Sequence, residues 1–394
     1  MAAFPDAMDS DESAISLVRA PGRVNLIGDH TDYNDGLVLP AAIGLDTWIA
    51  VRRRRDGLVR VESLQSGERT EFWIDELDAG PAGPAGPAGG IVRTPRTGWG
   101  DHVAGMAWSL REAALPVRGF DGVVDSAVPR DAGLAWAAAL ELASARALLA
   151  GERPVAAPSL AALAQRAERD YLGVEGGIVD QFASAAGRAG RAILLDCRSL
   201  ESRYVALPAG VSIVVCDTGA SADPGEHAAV FRERRAECGR AVALLAEEMP
   251  AVASLRDLDA ATLLRNRHLL SETEARRAEH VVSENERVVA AVAALDAGDL
   301  DELGRLFAAS HESLRTLYEV SSRALDAMVA LARAVPGVVA ARMTGAGFGG
   351  CTVNLVRDAA VPAFERAIVT KYPRRTGLTP RVYVVSTVDG AGPA

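Results

Sequence analysis

The stretch RAPGRVNLIGDHTDYNDGLVLPAAI, Arg19 to Ile43, decides how the rest of the chain is read. Apolar residues on both sides bracket a turn that carries Arg23, Asn25, Asp29, His30, Asp32 and Asn34. A strand therefore runs into a polar crossing and leaves it as strand again. Short carboxylates and an imidazole around Gly28 accept and donate with fixed geometry, which suits the hydroxyls of a polar ligand. Any one of these side chains alone reads as a satisfied polar turn; their crowding between apolar segments reads as a site.

Further along the chain, three other segments stand out. In GVEGGIVDQFASAAG, Asp180 follows a glycine-rich approach and opens a helix of small residues, where backbone amides favour a carboxylate. An N-cap is the alternative role for it. In RMTGAGFGGCTVN, Gly345, Gly347, Gly349 and Gly350 lie between strand-like runs and allow backbone to approach a ligand or another segment closely. The stretch VPRDAGLAWAAALELA, Val128 to Ala143, reads as a tight turn opening a helix whose first amides would receive an anion.

A chain of 394 residues exceeds one simple core and fits two domains. With 49% apolar and 24% charged residues it is globular, not disordered. A net charge of -10 opposes a nucleic-acid surface, which needs clustered Lys and Arg. The dense basic run VRRRRDG, Val51 to Gly57, lies between strand-like segments and reads as a solvated hairpin end. Cys197, Cys216, Cys238 and Cys351 show no CxxC and no zinc-type pairing with His, and read as reduced, mostly buried thiols of a cytoplasmic protein. The acidic start MAAFPDAMDSDESAIS has no apolar core of signal-peptide length, and no segment reaches the apolar length of a membrane span. The expectation is a soluble, cytoplasmic protein that engages neither nucleic acid nor membrane. AGPAGPAGPAGG, Ala79 to Gly90, reads as a mobile surface loop. Separated strand-rich and helix-rich parts predict an α+β fold of two domains, 1–200 and 201–394, with the glycine loop 345–350 in the second.

Together these segments resemble the galactokinase family, within the superfamily that also holds homoserine, mevalonate and phosphomevalonate kinases, the GHMP kinases. GRVNLIGDHTDYNDGLVLPAAI is similar to the family signature almost residue for residue, and GIVDQFAS, LLDCRSL, RRAEC, SLRTLYEVS and RMTGAGFGGC follow in the family's order, so the resemblance covers nearly the whole chain. It implies a two-domain GHMP-kinase-like architecture with the site in the interdomain cleft, and transfer of the γ-phosphoryl group of ATP to the anomeric hydroxyl of galactose or a related sugar. Mg²⁺ is expected to bridge the terminal phosphates. By the same resemblance Asp180 matches the base that takes the proton from that hydroxyl, and Arg23 the residue that pairs with it and offsets charge on the phosphoryl group. Asp29, His30 and Asp32 match sugar-hydroxyl ligands, and Glu168, in QRAERDYLG, matches a carboxylate that helps hold Mg²⁺. Trp99, in GWGDHV, matches a residue beside the adenine; a buried core Trp is the alternative.

The family's phosphate cradle, of pattern P-x-G-A-G-L-S-S-S-A, falls on Pro129 to Ala138 and here reads PRDAGLAWAA. Gly133 is kept, but Asp131 replaces a glycine, and Ala135, Trp136 and Ala137 replace three serines. A carboxylate ~4 Å from a phosphate oxygen would be repelled by a few kcal/mol at an effective dielectric near ~20. The hydroxyls that in the family bond phosphate oxygens and help ligate Mg²⁺ are gone, and one such donor is worth ~10²–10³ in turnover. Trp136 either adds bulk against the phosphate or turns into the core, leaving bare backbone amides to bind. On the sugar side Phe231, in AVFRERRAEC, stands where the family has a Tyr that helps hold galactose, so one hydrogen bond is lost. Asp29 stands where the family commonly has Glu, and Gly176 and Val179 replace Cys and Met in what reads as repacking.

Two readings follow. One is a sugar 1-kinase, slowed by its loop, in keeping with the retention of Asp180, Arg23, Glu168 and the last glycine loop. The other is a kinase-inactive sugar-binding protein or a repurposed enzyme, in keeping with the changes at Asp131, Ala135, Trp136 and Ala137, which oppose both ATP and Mg²⁺. The sequence names no protein partner and does not choose the sugar.

Overall fold

The computed structural model describes residues 15–77, 82–85, 91–93, 98–130, 132–149, 155–174, 176–220 and 224–393. In the first half, a six-stranded sheet runs in the order Gly392–Pro393, Ser16–Asn25, Pro40–Arg53, Phe120–Ser126, Leu58–Ser63, Arg69–Trp73. All neighbours are antiparallel except Leu58–Ser63, which lies parallel to Phe120–Ser126. Inward residues such as Ile49, Val51, Val59 and Val61 alternate with outward ones and pack against Val103 and Met106 of the helix Trp99–Glu112 and Leu140 and Leu148 of the helix Trp136–Leu149. The second half builds an antiparallel sheet in the order Val338–Thr344, Cys351–Arg357, Val211–Asp217, Arg381–Val385. Helices Arg323–Arg333 and Val361–Thr376 cover one face and Leu300–Thr316 the other.

The α+β organisation is the one the sequence predicts. The last strand, Gly392–Pro393, returns to the edge of the first sheet, so the C-terminus is stitched to the N-terminal half. One apolar cluster is common to both halves, with Val24, Leu26 and Ile27 packed among Ile213, Val288, Phe307 and Val353.

The basic run is not a hairpin end. Pro40–Arg53 and Leu58–Ser63 are separated in the sheet by Phe120–Ser126. Arg54 turns inward instead of into solvent, 5% exposed, and bonds both Asp56 and the buried Asp121. A crossover buries what a hairpin would have exposed. Of the Gly/Pro-rich stretch, Ala82–Ala85 form a short antiparallel pair with Ile91–Arg93, and the rest lies outside the described residues, as does Asp131. All four cysteines are free thiols, with Cys216, Cys238 and Cys351 buried.

A buried cation ties the two halves together. Arg342, wholly buried in the strand Val338–Thr344, pairs with the carboxylate of Asp29 and donates to the carbonyl of Leu26 at 2.8 Å. Thr344 Oγ1 donates to Asn25 O at 2.8 Å and accepts from Asn25 N at 3.2 Å. From the long helix Glu272–Ala297, Glu284 accepts from the amide of Gly28 at 3.0 Å and Asn285 from that of Leu37 at 2.7 Å. The turn read first in the sequence is thus gripped by the C-terminal half along its whole length. Removing one partner of a buried ion pair costs about 3–5 kcal/mol, because the other charge stays buried. Arg342→Met is therefore expected to lower unfolding stability by that amount in urea titration.

Candidate functional site

The gripped turn forms one wall of a cavity of about 170 Å³, lined by Arg23, Asn25, Gly28, Asp29, His30, Asp32, Glu168, Gly176, Gly177, Val179, Asp180, Gln181, Phe231, Gly345 and Ala346. Every residue carried over as catalytic, sugar-binding or metal-binding lies here: Arg23, Asp29, His30, Asp32, Glu168, Asp180 and Phe231. Asp180 is in the first turn of the helix Val179–Ala186 but is not its N-cap, which is Ile178. Its Oδ1 meets Arg23 Nη2 at 2.6 Å. Arg23 also donates from Nη1 to the carbonyl of Gly133 at 2.5 Å, and its backbone amide to Leu134 O at 3.0 Å. One guanidinium therefore fixes both the carboxylate and the loop at Gly133.

His30 sits at φ 63°, a left-handed conformation. Its Nε2 lies 3.2 Å from Ala346 O, which only accepts, so Nε2 carries the proton and Nδ1 accepts from Tyr33 at 2.9 Å. Tyr33 then accepts from Tyr318 at 2.7 Å, and Tyr318 from the thiol of Cys238 at 3.2 Å. Burial brings the His30 imidazole down to about 4 and pushes the Cys238 thiol up to about 11, so the chain is neutral at physiological pH. The ring of Phe231 closes this wall, 5.0 Å from that of Tyr33. Asp29 gives one oxygen to Arg342 and the other to Asn25 Nδ2 at 3.1 Å and Gly345 N at 3.2 Å. Both His30 and Asp29 are thus held by protein partners while they face the cavity.

Asp32 is different. Burial, then the negative charge of Asp180, raises its carboxyl from 3.8 to about 6. Gly177 makes room for it: a Cβ there would fall 1.6 Å from Asp32 Oδ2. At Gly347, φ is 92° and a Cβ would lie 2.1 Å from Val320 O, so only glycine lets the last loop turn in towards the site.

Glu168 lies on a π-helical segment, Ala167–Leu172, which follows the helix Ala157–Arg166. Burial and the adjacent charge of Glu141 push its carboxyl well up. Glu141, fully buried, bonds His102 Nδ1 at 2.8 Å.

The altered loop borders a second cavity of about 380 Å³, whose walls include Trp99, Val128, Arg130, Trp136 and Leu140. Trp99, 8% exposed, packs in the core, as its alternative reading expects, and also forms part of this wall. Trp136 turns only partly inward. It lies 4.5 Å beneath the guanidinium of Arg130 and presents an edge contact to His102 at 5.7 Å. Gly133 and Ala135 both take left-handed backbone, φ 70° and 63°, and Ala137 is half-buried in the first turn of the helix. The backbone course thus accommodates an alanine where glycine or a small polar residue is favoured.

Tyr33, Tyr318, Arg342, His102 and Glu141 escaped the sequence reading. Two carried a signal: Arg342 interrupts an apolar strand, and Glu141 is the single acid in an apolar helix.

Three family models match this chain: the galactokinase galactose-binding signature over residues 2–53, the GHMP kinase N-terminal domain over 101–188 and the GHMP kinase C-terminal domain over 291–374. The fold and the cleft between its halves are thus those of a GHMP-type small-molecule kinase. Galactokinase from Roseiflexus sp. (strain RS-1) is 42% identical over 95% of this chain and 92% of that protein, and human galactokinase 40% identical over 95% and 91%. The crystal structure of Lactococcus lactis galactokinase complexed with galactose superposes with a TM-score of 0.87 at 34% identity, covering 98% of this chain and 96% of that one. Methanococcus jannaschii mevalonate kinase shares the fold, with a TM-score of 0.64 at 14% identity. The chain belongs to the galactokinase family and is a sugar kinase, a phosphotransferase. Among the described residues no helix is long and apolar enough to cross a membrane.

The raised Asp32 carboxyl makes stability depend on pH. In the unfolded chain it titrates near 3.8, so from there up to about 6 the folded state holds the proton more tightly. Its contribution favours the fold at the acid end and is lost as pH rises through about 6. Asp32→Asn, neutral at every pH, is expected to raise the melting temperature of the sugar-free protein at pH ~7.5 by about 2–4 °C. The difference should vanish below pH ~4, as thermal melts at the two pH values would show.

Proposed function

We propose that this protein transfers the γ-phosphoryl group of ATP to the anomeric hydroxyl of galactose or a closely related hexose. The observation that carries this reading is the 2.6 Å pair of Arg23 and Asp180 at the cavity wall, beside the carboxyl groups of Asp29 and Asp32, which suit sugar hydroxyls. Asp180 accepts the proton of the attacking hydroxyl at its free oxygen while Arg23 holds the other, so the base keeps one orientation. The Arg23 guanidinium also offsets the negative charge that builds as the phosphoryl group is transferred. Asp32 and Asp29 accept from sugar hydroxyls, His30 packs beside them, and Phe231 gives an apolar wall in place of a polar one.

The nucleotide lies against the second cavity, with Trp99 and Trp136 beside its base and the loop at Gly133, Ala135 and Ala137 under its phosphates. No serine hydroxyl remains there, so binding falls to the backbone amides at the start of the helix Trp136–Leu149 and its partial positive charge. Glu168 and Glu141 fit a divalent cation, since Glu141 Oε2 is buried without a partner. Mg²⁺ bound there supplies positive charge to the terminal phosphates.

Incubation with Mg·ATP and a panel of hexoses should release ADP and sugar 1-phosphate. Asp180→Asn should reduce kcat by about 10²–10⁴ and leave sugar affinity, read by calorimetry, near that of the parent. Combining Asp131→Gly, Ala135→Ser, Trp136→Ser and Ala137→Ser should raise turnover. A parent protein and a repaired loop that both bind sugar yet form no ADP would exclude kinase activity.

A further inference from the structure

Behind Trp136, three donors from three separate elements converge. His102 comes from the helix Trp99–Glu112, Glu141 from the helix Trp136–Leu149 and Glu168 from the π-helical segment. One ligand atom of each lies within 4.8 Å of the other two. Glu141 is 0% exposed, and although its Oε1 bonds His102, its Oε2 has no partner. Among the described residues neither glutamate is paired with an arginine or lysine; Gln181 and His102 are their polar neighbours. Two carboxyl groups side by side in a protein interior are kept there either by holding their protons or by a compensating cation.

We propose that His102, Glu141 and Glu168 together bind one divalent cation, and that the imidazole nitrogen makes the site prefer a first-row transition ion such as Mn²⁺ to Mg²⁺. The family resemblance gives a metal role to Glu168 alone; His102 and Glu141 supply donors where serine hydroxyls have been lost at Ala135, Trp136 and Ala137. Metal–ligand bonds of ~2.0–2.2 Å allow two ligands of one ion to be at most ~4.4 Å apart, so the group closes on an ion with a shift of a few tenths of an ångström. The charges of two carboxylates and one divalent ion then cancel. The edge of Trp136 against His102 walls the site from water on that side, which gives this residue a use in place of the serine it replaced. The ion's part in phosphoryl transfer rests on the kinase reading above; its binding does not.

The full-length protein, stripped by a chelator and free of sugar and nucleotide, is titrated with Mn²⁺ while the electron paramagnetic resonance of free Mn²⁺ is followed. One ion per chain should bind, with Mg²⁺ displacing it only in more than tenfold excess. His102→Phe should weaken Mn²⁺ about 10–100-fold, with a much smaller change for Mg²⁺, and Glu141→Gln should weaken both. No Mn²⁺ uptake by the parent protein, or unchanged uptake by a folded His102→Phe variant, overturns the proposal. If that variant does not fold, crystals of the parent soaked in MnCl₂ decide by anomalous scattering. A peak among the three side chains supports the site, and a peak on Glu168 alone, or none, overturns it. Because no nucleotide is present, an absence of kinase activity leaves this result untouched, and an absence of Mn²⁺ binding leaves the hexose assay untouched.

Discussion

The structure depends on a guanidinium taken wholly out of water. Arg342 stands in an otherwise apolar strand of the second half, and its desolvation is offset only while Asp29 and the Leu26 carbonyl stay where they are. Asp29 is in turn held by Asn25 and by the amide of Gly345. The signature turn and the last glycine loop, more than three hundred residues apart in the chain, are therefore one unit. Glu284 and His280 brace it from the long helix, His280 by a 3.1 Å contact with Asp29 O. A cleft wall built this way is rigid before any ligand arrives, which is what precise positioning of a sugar needs.

Arg23 plays the corresponding part on the other wall. It reaches Asp180 and Gly133 at once, so the carboxylate and the loop at Gly133 keep their spacing. The changes in that loop are not scattered. Ala135 keeps the left-handed course, Ala137 lies half-buried in the first turn of the helix, and Trp136 stands between the second cavity and His102. Sequence alone reads these as losses. The tertiary arrangement sets beside them a half-buried imidazole and two carboxyl groups, one with an oxygen left without a partner.

Much of the architecture was legible. Strands such as Phe120–Ser126 and Val211–Asp217 and helices such as Pro224–Glu248 follow from the period of their apolar residues. The seven residues expected in the cleft also converge there. Pairing order was harder to read. The basic run reads as a hairpin end because adjacency in sequence suggests adjacency in a sheet, but Phe120–Ser126 inserts between the flanking strands and Arg54 is buried against Asp121. The π-helical turn that aims Glu168 was equally hidden, since its side-chain spacing differs from that of an α-helix by too little to register in a single sequence.

By itself the sequence determined the alternation and periodicity of the elements, the family to which they belong, and the kinds of chemical group that meet in the cleft. These are local properties, carried by side-chain type and spacing. Only the tertiary structure decided what each group is free to do: that Asp29 and His30 are already engaged, that Asp32 holds its proton up to about 6, and that His102 and Glu141 face Glu168. Burial and the charge of neighbours set these properties, and both come from parts of the chain far apart in sequence.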